Sequence, residues 1–338
     1  PGTAGGGRWG RPVAVGAAAV AVLVAGLGWD MAIGTTTIGV GAVLAAVFGG
    51  AATPEALIVR TVRLPRALLA AVVGSSMSVS GAVMQGITAN PIAAPEIMGV
   101  TAGAAVVVVG CLTLFTFVTG QALVAAAFAG GAIAGLVVLL LAGAGTGRTS
   151  NVRLALAGFT VSALLISLTQ GFVIFNDNQT NNVFFWLVGG VNFAKAQDIA
   201  TVAPWAAAGF VGAMALASSL NVLALGEDMA RGVGLRVERV RILGALLIIM
   251  LVGSAVAVAG PISFVGLIVP HIVRRLAGTV NHFVVIPLSA LVGSALVVYA
   301  DIGSRYIRYP FEAPAGVVLA LIGTPFFVVL ARRTKMST

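Results

Sequence analysis

The sequence predicts an all-α, polytopic membrane protein with about ten transmembrane helices and an inverted internal repeat. Three observations predict it. Of 338 residues, 59% are hydrophobic and only 9% charged, and mean hydropathy is +1.09, far beyond what a soluble core needs. Apolar runs of about 20 residues, the length that crosses a hydrocarbon core about 30 Å thick, recur between charged or Asn/Pro-rich breaks. Residues 74–81 (GSSMSVSG) and 253–260 (GSAVAVAG) match at Gly, Ser, Val and Gly.

The first run, 13–33, follows Arg8 and Arg11 and reads as a span, because no small-residue cleavage site with a soluble domain comes after it. The stretch 38–48 is too short to cross and is expected at the interface or dipping in and returning. A second span, 64–86, follows Arg63-Leu64-Pro65-Arg66. The third, 93–112, comes after Asn90-Pro91, with Gly99 and Gly103 spaced for close helix approach. The fourth, 118–142, carries Gly131 and Gly135 at the same spacing, and the fifth and sixth are 152–175 and 196–217. The residues 226–241 follow, a charged stretch that lipid cannot accept. Four more spans complete the count at 240–260, 263–277 (short), 283–301 and 313–331. Proline in the segments 90–96 and 260–271 frees carbonyls that protein or a water-filled path must satisfy, so these breaks can bend or gate; ordinary turns would explain Pro91 and Pro95 as well.

Ten spans put both termini on one side. Placing them in the cytoplasm leaves most of the 19 Lys and Arg there, the 226–241 stretch included. Arg60, Arg63, Arg66, Arg305 and Arg308 break the rule by crowding two outer loops, where an acidic partner could use them or lipid phosphates could attract them. The two matched octapeptides fall on the second and seventh spans, which cross in opposite directions. Inverted repeats of that kind are a transporter architecture.

Neither lysine, Lys195 or Lys335, follows a Gly-rich loop, so the chain carries no phosphate-binding sequence of its own. The acids Asp30, Glu55, Glu96, Asp177, Asp198, Asp301 and Glu312 all fall near predicted span ends, which leaves no mid-membrane relay for an ion-driven carrier. No catalytic set and no metal-spaced His/Cys cluster is present, and the lone Cys111 has no partner. The basic residues follow topology, which argues against nucleic acid.

The motifs Arg63-Leu64-Pro65-Arg66, 81–86 (GAVMQG), 90–95 (NPIAAP), 260–271 (GPISFVGLIVPH), Asp301 with Arg305, 312–316 (EAPAG) and 323–327 (GTPFF) together resemble a FecCD-type permease across nearly the whole chain. That family comprises membrane subunits of binding-protein-dependent ABC importers for ferric siderophores, haem and cobalamin. The resemblance implies a type II ABC importer permease fold in a bacterial cytoplasmic (inner) membrane, a single permease domain over 1–338, and no cofactor on this chain. It implies four kinds of partner: a second permease subunit, identical or not, two ATPase subunits carrying ATP and Mg, an extracytoplasmic binding protein, and membrane lipid. Coupling helices at 221–239, centred on Gly226, Glu227, Asp228, Arg231, Gly232 and Gly234, would seat in the ATPase, with Gly232 and Gly234 forming a tight turn. Arg63, Arg66 and Arg305 would receive acids of the binding protein. Asn90, Ile92, Ser150 and Asn151 would form a cytoplasmic gate, and Phe185, Trp186, Gly189 and Gly190 would flank the outer mouth. The cargo expected is a ferric siderophore or related chelate; the competing reading is an ion-coupled secondary transporter with inverted repeats.

Overall fold

A computed structural model describes residues 7–34, 36–50, 53–115, 117–118, 120–143, 151–175, 186–307 and 312–335. All regular structure among them is helical: α1 (Gly7–Ala32), α2 (Val40–Phe48), α3 (Pro54–Ile58), α4 (Leu64–Thr88), α5 (Val100–Leu114), α6 (Gln121–Leu141), α7 (Asn151–Ile174), α8 (Ala196–Leu223), α9 (Glu227–Gly232), α10 (Val237–Ala259), α11 (Val265–Ala277), α12 (His282–Ile307) and α13 (Ala315–Lys335). Each of the ten predicted spans falls on a helix. Seven helical stretches among the described residues are long and apolar enough to cross a membrane by length and composition. The other three predicted spans fall on shorter apolar stretches: α11, expected short, has 13 residues and rises only about 20 Å, and α5 and α13 supply the other two.

Proline explains where the third span departs from expectation. It starts at Val100, not at 93, because Pro91 and Pro95 remove donors and push the residues before them out of the helical region. A single 3₁₀ turn, Pro95–Met98, fills the gap, and Gly99 ends it at φ 68°. Gly99 therefore serves backbone conformation; close approach belongs to Gly103, whose added Cβ would lie 2.4 Å from the Gly130 carbonyl oxygen. The 38–48 stretch is the nine-residue α2, which packs with α3 and the π turn Val59–Arg63 beside α1. Thr53 starts α3 by accepting a bond from Ala56 N–H at 3.2 Å.

Helix α4 is the axis of the bundle. Its most apolar stretch is 78% buried, against 17% for α1, and it packs against α8, α10, α11 and α12. Small residues allow this. Gly74 lies against Gly293, Ser78 Oγ donates to the Ser289 carbonyl at 2.7 Å, Ser294 Oγ donates to the Ala71 carbonyl at 2.7 Å, and Gly81 lies against Gly266. Lipid offers no hydrophobic drive between helices, so such close contacts and interhelical bonds hold the bundle.

The end of α4 meets the beginning of α10, where Gly244 abuts Ile87 and Arg241 Nε reaches the Ile87 carbonyl at 3.5 Å. The two matched segments thus lie on packed helices that run in opposite directions. The match is local: Gly81 sits inside α4, whereas Gly260 ends α10 at φ 67°.

Candidate functional site

Chain topology gathers Arg66 and Arg305 into one buried network beside Arg63. Arg66, at the start of α4, holds Asp301 of α12 in a two-point fork, Nε to Oδ2 at 2.8 Å and Nη2 to Oδ1 at 2.9 Å, and its Nη1 donates to Glu312. Arg305, one turn beyond Asp301, donates to Asp301 Oδ2 at 2.8 Å and to Asp30 Oδ1 of α1 at 2.5 Å. Arg63 caps the end of α1 through the carbonyls of Met31, Ala32 and Thr36, where the helix dipole favours a cation. Asn192 Nδ2 extends the network, 3.4 Å from Glu312.

Arg63, Arg66 and Arg305, expected to receive acids of a binding protein, are 5%, 6% and 6% exposed, and each has internal partners. The reason is physical: a guanidinium removed from water needs carboxylates or carbonyls around it, and Asp30, Asp301 and Glu312 supply them. Arg60 remains exposed, with Nε 2.6 Å from the Ala46 carbonyl, and Arg308 lies outside the described residues.

At the opposite end of α4, the charged stretch forms a tight hairpin between α8 and α10. Gly226, at φ 108°, opens α9, and Gly234, at φ 83°, closes the turn behind it. Gly232 ends α9 with open space around it, so the turn rests on Gly226 and Gly234, not on Gly232 and Gly234 as expected. Arg231 donates to Glu227 Oε1 at 2.9 Å and Glu238 Oε1 at 2.7 Å, while Arg241 donates to Glu227 Oε2 at 2.8 Å. Asp228 lies beside Glu227 in the first turn of α9, where an acid suits the helix start. Ala230 is buried beneath α9, and Leu225, Met229 and Val233 stand exposed on and beside it. Sequence reasoning overlooked these three apolar side chains.

Hydrogen bonding from Arg231 holds the Glu227 carboxyl below its usual range, partial burial opposes this, and Arg241 adds to the lowering. A carboxylate with a lowered folded-state pKa stabilises above its unfolded value and loses that contribution as pH falls through the folded one. Amide protection in 226–241, taken relative to the intrinsic exchange rate at each pH, is therefore expected to be full at neutral pH and to fall on acidification through the glutamate range. Glu227→Gln should abolish that acid dependence; an unchanged profile would refute the role of Glu227.

Of the residues expected at the gate, Asn90 and Ile92 share one turn. Ala89, at φ 48°, terminates α4, and Asn90 Oδ1 accepts from the Ile92 N–H at 3.1 Å, making a compact turn. Asn90 and Val152, near the start of α7, line the same cavity. Asn151 begins α7, while Ser150 lies outside the described residues. The segment around Gly189 and Gly190 docks by backbone: Gly190 N–H donates to the Ala259 carbonyl at 2.8 Å, and Gly316 N–H to the Gly189 carbonyl at 2.9 Å. Trp186 packs where α10 ends, its carbonyl against Gly260, and Phe185 lies outside the described residues. Phe264, at φ 70°, is a strained non-glycine residue starting α11, and its ring lies against Gly323. No group of three or more His, Cys, Asp or Glu able to hold a metal occurs among the described residues.

Residues 19–333 match the model of the FecCD transport family. The chain is 43% identical to an Fe(3+)-citrate import system permease protein of Bacillus subtilis, covering 94% of each chain. It is 40% identical to an iron(3+)-hydroxamate import system permease protein of the same organism, over 82% of this chain and 72% of the relative. Among solved structures, one titled as an inward-facing conformation of a metal-chelate type ABC transporter superposes with TM-score 0.80 at 28% identity, covering 94% of this chain and 98% of the other.

Proposed function

The chain belongs to the FecCD transport family, and from that membership we propose the task of each part of the molecule. It is a multi-pass membrane permease subunit of an ABC importer that moves a ferric siderophore or related metal chelate. The single observation that carries this reading is the family match over residues 19–333, with the charged hairpin as its structural counterpart.

The energy enters, in this reading, through ATP and Mg on two partner ATPase subunits that grip α9. The exposed Leu225, Met229 and Val233 would enter an apolar cleft on the ATPase, and the Glu227–Arg231–Glu238 network would keep the hairpin stiff enough to transmit its motion. A second permease subunit would complete the path. Both termini and the hairpin would face the cytoplasm, with the Arg66 network facing out, in a bacterial inner membrane. An extracytoplasmic binding protein would dock over that outer end. Because the arginines are already paired, docking through Arg66 would require a partner carboxylate to replace Glu312, whose side chain is 30% exposed while Asp30 and Asp301 are fully covered.

The decisive experiment is ATP-driven uptake of a radioiron chelate by the reconstituted importer. Transport by this chain alone on an ion gradient would overturn the reading. Met229→Asp with Val233→Asp should detach the ATPase, since burying each apolar side chain is worth about 1.5–3 kcal/mol, and uptake should fall by more than about tenfold while the bundle stays folded. Full ATPase retention in that double variant would remove these side chains from the interface.

A further inference from the structure

Between α1 and α4 the chain builds a small unit with its own apolar centre. Ile38, Val43 and Ala46 pack on Ala56 and Val59, and Met31 and Ala32 of α1 lie against them. That contact uses one side of α2. Val40, Leu44 and Phe48, which share another face at i, i+4 and i+8, are exposed, Phe48 to 84%. Leu57 and Val62, on the turns that follow, are exposed as well. The nine residues of α2 include no polar side chain.

A contiguous apolar face on a protein needs a cover, and a partner that docks and leaves would strip it in every cycle. Lipid covers it at all times. The level of the unit follows from α1: exposed Val20 and Val24 belong to its lipid-facing part, exposed Trp29 stands where aromatic residues gather at a membrane boundary, and Met31 and Ala32 come just after. Helices that lie in that boundary combine an apolar face with charge, and here the neighbouring turns supply the charge that α2 lacks.

Arg60 provides it. Its Nε donates to the Ala46 carbonyl at 2.6 Å, in the last turn of α2, while Nη1 and Nη2 have no partner among the described residues. Glu55, the one acid of the unit, forms no ion pair among the described residues. A guanidinium fixed through Nε and free at both Nη groups presents a planar fork that fits two oxygens of a phosphate.

We propose that α2, α3 and the π turn form a foot set into the leaflet at the Arg66 end of the bundle: Val40, Leu44 and Phe48 lie among acyl chains, and Arg60 binds the phosphate of a phospholipid headgroup. The foot continues the lipid-facing side of α1 through Met31 and Ala32. It goes beyond the importer reading and is independent of the cargo.

The test uses the assembled importer with cysteine-free partner subunits. In this chain the single cysteine is removed by Cys111→Ser, and a nitroxide is attached through Leu44→Cys or Phe48→Cys. Power saturation then compares collision with oxygen, which concentrates in hydrocarbon, and with a nickel chelate, which stays in water. In phosphatidylglycerol nanodiscs the oxygen effect is expected to exceed the nickel effect by at least about threefold at both positions. Nickel access equal to or above oxygen access overturns the proposal, and so does shielding from both, which would mean that protein covers the face. In nanodiscs of a phosphate-free galactolipid the oxygen-to-nickel ratio should fall by at least about twofold, because Arg60 keeps its bond to Ala46 but loses its anion. Arg60→Gln should produce the same fall in phosphatidylglycerol and no further fall in galactolipid. A ratio that ignores the phosphate, or a fall in Arg60→Gln that is equal in both lipids, overturns the headgroup site. Recovery of the ratio when inorganic phosphate is added to the galactolipid sample would overturn lipid as the source of the phosphate.

Discussion

Asp301→Ala is expected to destabilise the folded subunit by about 3–5 kcal/mol, the cost of breaking a buried ion pair from one side. At about 2–4 °C per kcal/mol for a chain of a few hundred residues, the unfolding midpoint should drop by on the order of 10 °C in detergent or nanodiscs. The reason is that Asp301 accepts from two guanidinia at once, at 2.8 and 2.9 Å from Arg66 and 2.8 Å from Arg305, and is fully covered. Its removal leaves Arg305 with only Asp30 and carbonyl oxygens, and leaves Arg66 with Glu312 alone. Arg66→Ala on top of Asp301→Ala should cost less than the sum of the two single changes, because the second removes a cation the first had stranded. By contrast Arg231→Ala, on the exposed hairpin, should leave the midpoint unmoved, since water and salt screen such pairs. A midpoint for Asp301→Ala close to that of the unaltered protein would show that the network is not structural, and would return Arg66 and Arg305 to the role of docking handles.

The arginines themselves were visible in the sequence because they violate the inside-positive pattern. Their partners were not. Asp301 stands 235 positions from Arg66, and Asp30 stands 275 positions from Arg305, and each acid read alone is one more residue near a span end. Only the placement of α1, α4 and α12 side by side turns three separate anomalies into a network. The charged hairpin was legible for a simpler reason: lipid excludes it, so its place follows from composition. Its finer structure followed less well, because which glycine takes a positive φ depends on where α9 stops, and that rests on Ala230 finding a buried seat. The ten apolar runs gave helices in every case and the short α11 was foreseen, yet the late start of α5 depends on the prolines ahead of it.

Gly81→Val should abolish uptake. A Cβ at residue 81 would lie 1.9 Å from the Gly266 carbonyl oxygen and 2.5 Å from the Gly266 carbonyl carbon, both backbone atoms that no rotamer change can move aside. Even alanine there should cost about 1–3 kcal/mol through overpacking, and valine more. The damage would not stay local. Gly266 also abuts Pro95 and the Met77 carbonyl, and the Gln85 amide donates to the Gly266 and Leu267 carbonyls at 3.3 Å, so α11 can retreat from α4 only by losing those bonds and pushing on the Pro95–Glu96 turn. Pro261 and Ser263, just ahead of α11, line the cavity and would shift with it. Gly110→Ala is the matched control, because its new Cβ would meet the Phe172 ring at 3.6 Å, an ordinary contact. Uptake and unfolding midpoint measured on both variants separate close backbone packing from mere helix propensity, which would favour alanine over glycine at each site. Normal uptake in Gly81→Val would mean that α4 and α11 part freely during transport, and the bundle would then have to be hinged at one of its closest backbone contacts.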